Sequence, residues 1–295
     1  MKHADLYHPR HWLSWLVVAI LRCIALLPAK LLMSLGPPLG SLLYRLVSRR
    51  RQVAKSNIER AFPNKTPNEV EALARLHFQS LGIMAMEMLI TWWKRSDQIP
   101  AKINITGLEN LDQALSQGKG VLLLSAHFTP LEIGGALLQR ETQKIIHGMY
   151  RPHENPVIEL AMKKARQRWF ETMIPRDNVK QMLRSLRKGV IVWYAPDQAY
   201  GGRNSVQAPF FSHNVATNPG TSRIAKLSGA PVVPYFPIRK SNSLDYELRL
   251  LPAIENFPSD DLVNDATAIN QLIEKIAREH PEQYYWVHRR FKYSD

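Results

Sequence analysis

The sequence predicts an α/β protein: a mainly parallel central sheet flanked by helices, preceded by an N-terminal hydrophobic membrane-anchor helix. Three observations predict it. From residue 50 onward, short apolar runs of strand length alternate with longer runs at helical spacing, the pattern of a buried parallel sheet with helical crossovers. The chain has 295 residues, 45% hydrophobic and 22% charged, which is globular usage with enough length for a buried core. Residues 12–27, WLSWLVVAILRCIALL, form an apolar run that stops at Pro28.

The apolar run is short for a membrane span, which needs roughly 20 residues. Extending it through Ala29–Met33 reaches that length only if Lys30 snorkels to the interface. No small-x-small cleavage site follows it, so a signal peptide is disfavoured. Trp12 and Trp15 at one end and Arg49, Arg50 and Arg51 beyond the other fit interface anchoring on a cytoplasmic face. These features favour membrane attachment, spanning or lying in the interface, over a buried core helix, so residues 1–35 read as the anchor and 36–295 as the globular domain.

Next, residues 68–94 carry apolar positions at helical spacing with Glu69 and Glu71 near the start. Strands are expected at 121–125, 145–150, 189–195, 230–238 and 246–251, and residues 209–217 read as poor in strand. Helices are expected at 130–140, 156–170, 178–187, 218–228 and 264–279.

Charge narrows the partners. The chain carries 39 Lys and Arg against 25 Asp and Glu, a formal net charge of +14. Residues 1–60 hold ten basic against two acidic residues and residues 151–188 ten against four, so these two segments account for the excess. Such patches attract anionic lipid, nucleic acid or an acidic protein. Few aromatics interleave with the basic residues of 163–188, which argues against nucleic acid. Cys23 is the single cysteine, so a disulfide framework and Cys-rich metal sites are excluded. G-x-S-x-G, G-x-G-x-x-G, G-x-x-x-x-G-K-[ST] and H-E-x-x-H are all absent.

What remains is SAHFTPLE, residues 125–132, where strand 121–125 ends. Open α/β sheets bind ligands at such strand ends. On a continuous helix His127 and Glu132 would diverge by about 140°. They meet only if His127 sits in the loop and Glu132 in the first helical turn, a placement that Pro130 favours. A carboxylate on one imidazole nitrogen leaves the other free as a general base. Thr129–Glu132 equally matches a helix capping box, in which Glu132 caps and His127 has no chemical role.

SAHFTPLE resembles the H-x4-D/E motif of membrane acyltransferases, and specifically the late acyltransferases of lipid A biosynthesis. RRRQVAKSNIERAFP (49–63), MYRPHENP (149–156), APDQ (195–198), PFFSHNVATNPGTSRIAKLSGAPVVP (209–234) and PEQYYWVHRRFK (281–292) resemble successive blocks of that family. The Glu-Gly-Thr-Arg block of glycerolipid acyltransferases is missing. The resemblance implies that 36–295 is an acyltransferase domain at the cytoplasmic face of the bacterial inner membrane, working without a cofactor or metal. It implies acyl carrier protein as donor and a hydroxyl-bearing acyl chain of a lipid A precursor as acceptor. His127 is then the base and Glu132 its orienting carboxylate. Arg151 is a candidate for the oxyanion or a phosphate, Asp197 and Gln198 lie near the pocket, and Arg223 is a candidate phosphate contact. His153, His213 and His288 receive no role. The tail Arg289–Lys292 contacts headgroups or is merely basic. Lys163, Lys164, Arg166 and Arg168 form a face for the acidic carrier, with a solvated helix face as the plain alternative. Competing functions are acyl transfer to another membrane lipid, nucleic-acid binding through the basic patches, and a membrane-associated thioesterase in which His127 activates water.

Overall fold

Val121, Leu122, Leu123 and Leu124 are apolar without interruption because the strand they form is covered on both faces. Leu122 and Leu124 point into one hydrophobic cluster, Val121 and Leu123 into the other, as the period-2 alternation of a strand requires. The computed structural model describes residues 6–202, 204–240 and 243–294, so Lys2 and Asp5 of the first basic segment lie outside the described residues.

Seven strands form the central sheet: β1 (Lys102–Thr106), β2 (Val121–Leu124), β3 (Ile146–Tyr150), β4 (Thr172–Pro175), β5 (Ile191–Tyr194), β8 (Val232–Arg239) and β9 (Asp245–Leu250). Their spatial order is β1-β9-β8-β2-β5-β3-β4. Every neighbouring pair is parallel except β8 with β9. The mainly parallel sheet expected from the sequence is present. β1 was not foreseen because its edge position leaves it half exposed, without an apolar run. β4 is a four-residue edge strand ending in Pro175.

Residues 209–217, read as poor in strand, instead contribute most of a hairpin of β6 (Val206–Phe210) and β7 (His213–Thr217). Its two turn residues, Phe211 and Ser212, both have positive φ, 48° and 59°. Two-residue hairpin turns of this kind usually announce themselves with Asn-Gly or Asp-Gly. Here tertiary contacts hold the conformation instead. Phe211 is buried, and its N–H donates to Glu274 Oε2 at 2.7 Å.

The helices are α1 (Trp12–Ile24), α2 (Ala29–Leu46), α3 (Ser48–Ala61), α4 (Pro67–Trp93), α5 (Leu108–Leu115), α6 (Leu131–Thr142), α7 (Pro156–Arg166), α8 (Val179–Arg187), α9 (Gly220–Ser228) and α10 (Leu262–Glu279). α8, α9 and α10 bury Met182, Leu186, Ile224, Ile273 and Ile276 in one cluster, while α5 and α6 bury Leu111, Ile133 and Leu137 in the other. α4 opens with a complete capping box, in which Thr66 and Glu69 bond each other's backbone N–H.

The apolar N-terminal run does not continue as one rod through Met33. It breaks at Pro28, with a bend of 120° between the segments Pro9–Ile24 and Ala29–Leu46. No single helix among the described residues is long and apolar enough to cross a membrane; this bent pair passes by length and composition. The 35/36 division falls inside α2, which packs backbone to backbone on α4. A Cβ on Gly82 would lie 2.1 Å from Gly36 O, so only glycine permits that approach. α1 keeps Trp12, Leu13, Leu16, Val17 and Ile20 exposed.

Candidate active site

β2 and β5 are hydrogen-bonded parallel neighbours with Leu124 opposite Tyr194. Three residues beyond each lie His127 and Asp197, so equal steps past paired strand ends bring the two side chains together. His127 Nδ1 is 2.5 Å from Asp197 Oδ1, and the His127 backbone N–H donates to Asp197 Oδ2 at 3.1 Å. Asp197 is buried, while the His127 side chain stays 31% exposed at the edge of a cleft. Burial alone would push the imidazole pKa down. The ionised Asp197 more than offsets this, so it is raised, with Arg166 acting against it. Burial likewise pushes the Asp197 carboxyl up, and the charge and hydrogen bonds of His127 bring it below its ordinary value. With Nδ1–H held by Asp197, Nε2 is the nitrogen left to take a proton.

Glu132 was the carboxylate expected on His127, and here the structure differs. The first turn of α6 carries Glu132 to α7. There it receives Arg166 through Nε at 2.9 Å to Oε1 and Nη2 at 2.7 Å to Oε2, with Trp92 Nε1 donating to Oε1 at 3.1 Å. A bidentate, partly buried guanidinium is a better partner for a carboxylate than a neutral imidazole. Burial pushes the Arg166 pKa down, and Glu132 more than reverses it. The capping box is not formed either. Pro130 is the N-cap of α6, without a side-chain cap bond. The Thr129 hydroxyl pairs with Ser80 Oγ at 2.7 Å and accepts from Arg239 Nη2 at 2.9 Å.

The cleft measures about 520 Å³. Its apolar lining includes Met149, Met162, Phe170, Met173 and Trp193, with Phe170 and Trp193 stacked at 5.2 Å between centroids. Trp193 Nε1 is buried without a hydrogen-bond partner. Arg151, Arg166 and Arg176 bring positive charge to the same cleft, and Gln198, Tyr200 and Asn218 bring neutral polar groups. Such a mixed lining can accommodate both an alkyl chain and an anionic or polyhydroxylated group. Among the described residues, no three His, Cys, Asp or Glu side chains converge as a metal-ligand set.

The structure therefore brings His127, Glu132, Arg151 and Gln198 to one cleft, with Asp197 buried against His127 outside its lining. Arg151 is two-thirds exposed, with Glu154 at 3.6 Å. Arg223 does not join them. α9 buries Thr221, Ser222, Ile224 and Ala225, and Arg223 lies on its solvent face outside the cleft. Two members of the expected carrier-docking face are also redirected. Arg166 turns inward to Glu132, and Arg168 donates to the carbonyls of Trp92 and Lys94 at 2.8 and 2.6 Å. Lys163 and Lys164 remain exposed. The tail is not simply a basic terminus: Arg290 is 3% exposed and donates to Ala216 O and Asn270 Oδ1. Sequence reasoning missed Arg176 altogether. It underused Arg166, whose four-residue distance from Met162 puts both on one face of α7.

A sequence profile of the bacterial lipid A biosynthesis acyltransferases matches residues 1–293. Over 288 residues the chain is 37% identical to a lipid A biosynthesis lauroyltransferase of Escherichia coli (strain K12), spanning 97% of this chain and 94% of that one. It is 36% identical over 290 residues to a lipid A biosynthesis palmitoleoyltransferase of the same organism, spanning 98% and 94%. Identity to its lipid A biosynthesis myristoyltransferase is 30% over 285 residues, spanning 95% and 87%.

Proposed function

The chain belongs to the bacterial lipid A biosynthesis acyltransferase family, and from that premise we propose that it transfers a fatty acyl group from acyl carrier protein to a hydroxyl on an acyl chain of a lipid A precursor. The observation that carries the proposal is the His127–Asp197 pair, with Nδ1 engaged and Nε2 left free beside a cleft lined by both apolar side chains and arginines.

The acceptor hydroxyl oxygen attacks the thioester carbonyl as His127 Nε2 takes its proton. Asp197 orients the ring and stabilises the imidazolium, which is the charge distribution its raised pKa reflects. When the tetrahedral intermediate collapses, the carbon–sulfur bond breaks and the departing thiolate takes that proton from His127. No covalent enzyme intermediate is formed. Glu132 acts one step removed, fixing Arg166 against the cleft. Arg151, Arg166 and Arg176 supply the donors suited to phosphate groups and to developing negative charge. Gln198 is a further hydrogen-bonding group for the substrate.

The exposed face of α1 supports the site of action in this reading. Trp12, Leu13, Leu16, Val17 and Ile20 form an exposed apolar face suited to a membrane interface. The same helix is joined to the cleft's rim, since Asn155 Nδ2 donates to Ser14 Oγ at 2.8 Å just after the segment that carries Arg151. Seating α1 in the cytoplasmic face of the inner membrane brings the cleft to its lipid substrate. Lys163 and Lys164 offer the acidic carrier an exposed cationic face on α7. The test is mass spectrometry of products from purified protein, a defined acyl-carrier-protein thioester and a lipid A precursor. Acylated lipid is the expected product. Free fatty acid with unmodified lipid would replace the proposal by a thioesterase, and acylation of an added glycerolipid by a different acceptor.

A further inference from the structure

His127 and Asp197 stand on separate loops, and hydrogen bonds within the sheet end before either of them. A third segment joins the loops. The Tyr285 N–H donates to His127 O at 3.0 Å, and the Thr129 N–H donates to Gln283 O at 2.7 Å, so residues 283–285 run alongside the His127 loop. Three residues later the Ala199 N–H donates to His288 Nε2 at 3.0 Å, two residues beyond Asp197. The strap is itself anchored from α3: Asn57 Nδ2 donates at 2.6 Å to both Trp286 O and His288 O, and Arg50 Nη1 donates to Val287 O at 3.0 Å. Two residues after His288, Arg290 Nη1 donates to Ala216 O at 3.0 Å, just before the cleft residue Asn218.

We propose that residues 283–290 are a strap that registers the His127 and Asp197 loops against each other, and that His288 is a positioning residue for the Asp197 loop. This rests on the reading of His127 as base. The contact demands an acceptor at one place. Nε2 must be unprotonated to receive the Ala199 N–H, so the ring is neutral and carries its proton on Nδ1. Burial keeps the His288 pKa below the ordinary histidine value. Asp197 opposes that shift, whereas His127, Arg290 and Arg50 reinforce it.

Geometry makes the test selective. A glutamine amide oxygen reaches about where Nε2 sits, whereas an asparagine oxygen reaches only the Nδ1 position. In the full-length protein, H288A and H288N should lower kcat roughly tenfold, the loss expected when a backbone N–H beside the site loses its acceptor, with donor KM changed less than about twofold. H288Q should keep most of wild-type kcat. Hydrogen exchange of the peptide containing Ala199 should quicken in H288A and H288N but not in H288Q, and this readout does not depend on His127 being the base. If H288A fails to fold, the comparison of H288Q with H288N decides. Equal kcat for H288Q and H288N, a loss confined to KM, or unchanged exchange at Ala199 would each overturn the strap. Full activity in H127A with altered exchange in H288N would overturn the base assignment and leave the strap standing.

Discussion

Replacing Asp197 by Asn tests the pair at the centre of the site with almost no change in volume. The carboxylate accepts twice from one residue, at Oδ2 from the His127 backbone N–H and at Oδ1 from Nδ1–H. An amide has one oxygen. If that oxygen keeps the backbone N–H, the amide NH2 faces Nδ1 and the ring must shift its proton to Nε2, the tautomer that cannot act as base. The substitution also removes a charge that is 3% exposed at the side chain and holds the imidazole pKa up. Breaking a buried charged hydrogen-bonded pair costs about 3–5 kcal/mol, which is roughly 10²–10⁴-fold in kcat if the loss falls on the transition state. The acid limb of kcat reports deprotonation of the base. Asp197 raises the folded-state pKa of His127, so activity in the wild type disappears as pH falls through that raised value. In D197N the limb moves to lower pH while the plateau drops. Steady-state rates from pH 5 to 9, with thermal melting as a folding control, read both effects. A plateau within about threefold of wild type, or a limb displaced to higher pH, would refute the role given to Asp197.

The other predictions address separate parts of the molecule. Glu132→Ala and Arg166→Ala should each lower activity, and their double-mutant cycle should return a coupling of about 1–3 kcal/mol, as for groups that act as one unit; additive effects would separate them. Charge reversal at Lys163 and Lys164 should raise KM for acyl carrier protein and leave kcat unchanged, which initial rates against donor concentration would reveal. His77 is fully buried, its Nδ1 is 3.1 Å from Glu282 O, and burial lowers its pKa from 6.5 to about 4. A depressed folded-state value means stability is fully present above pH 6.5 and is lost on acidification towards pH 4, by up to about 3 kcal/mol. His77→Asn, whose amide can still donate to Glu282 O, should flatten denaturant midpoints across that window. Leu13→Glu with Leu16→Glu and Ile20→Glu should abolish flotation with anionic vesicles, since each buried apolar side chain is worth about 1.5–3 kcal/mol; undiminished flotation would remove α1 from the membrane contact.

Sequence periodicity disclosed the sheet's central strands and most of the helices because buried elements write long, regular patterns. It did not disclose β1, β4 or the β6–β7 hairpin. Two of these are short or half-exposed edges, and the third turns on Phe211 and Ser212, which tertiary contacts force into positive φ. The site divided in the same way. SAHFTPLE and APDQ marked both loops: strand-end placement raised the first to the level of a plain capping box, and the family resemblance made candidates of both.

Residue order alone marked candidate residues after two strands, a mainly parallel sheet to present them, and two segments that concentrate the positive charge. Tertiary structure decided who pairs with whom. His127 and Glu132 are five residues apart, yet the helix turns Glu132 towards Arg166. His127 and Asp197 are seventy residues apart, yet the register of β2 and β5 sets them side by side. A hydrogen bond depends on distance and direction in space, and separation along the chain is silent about both once strands pair and helices cross.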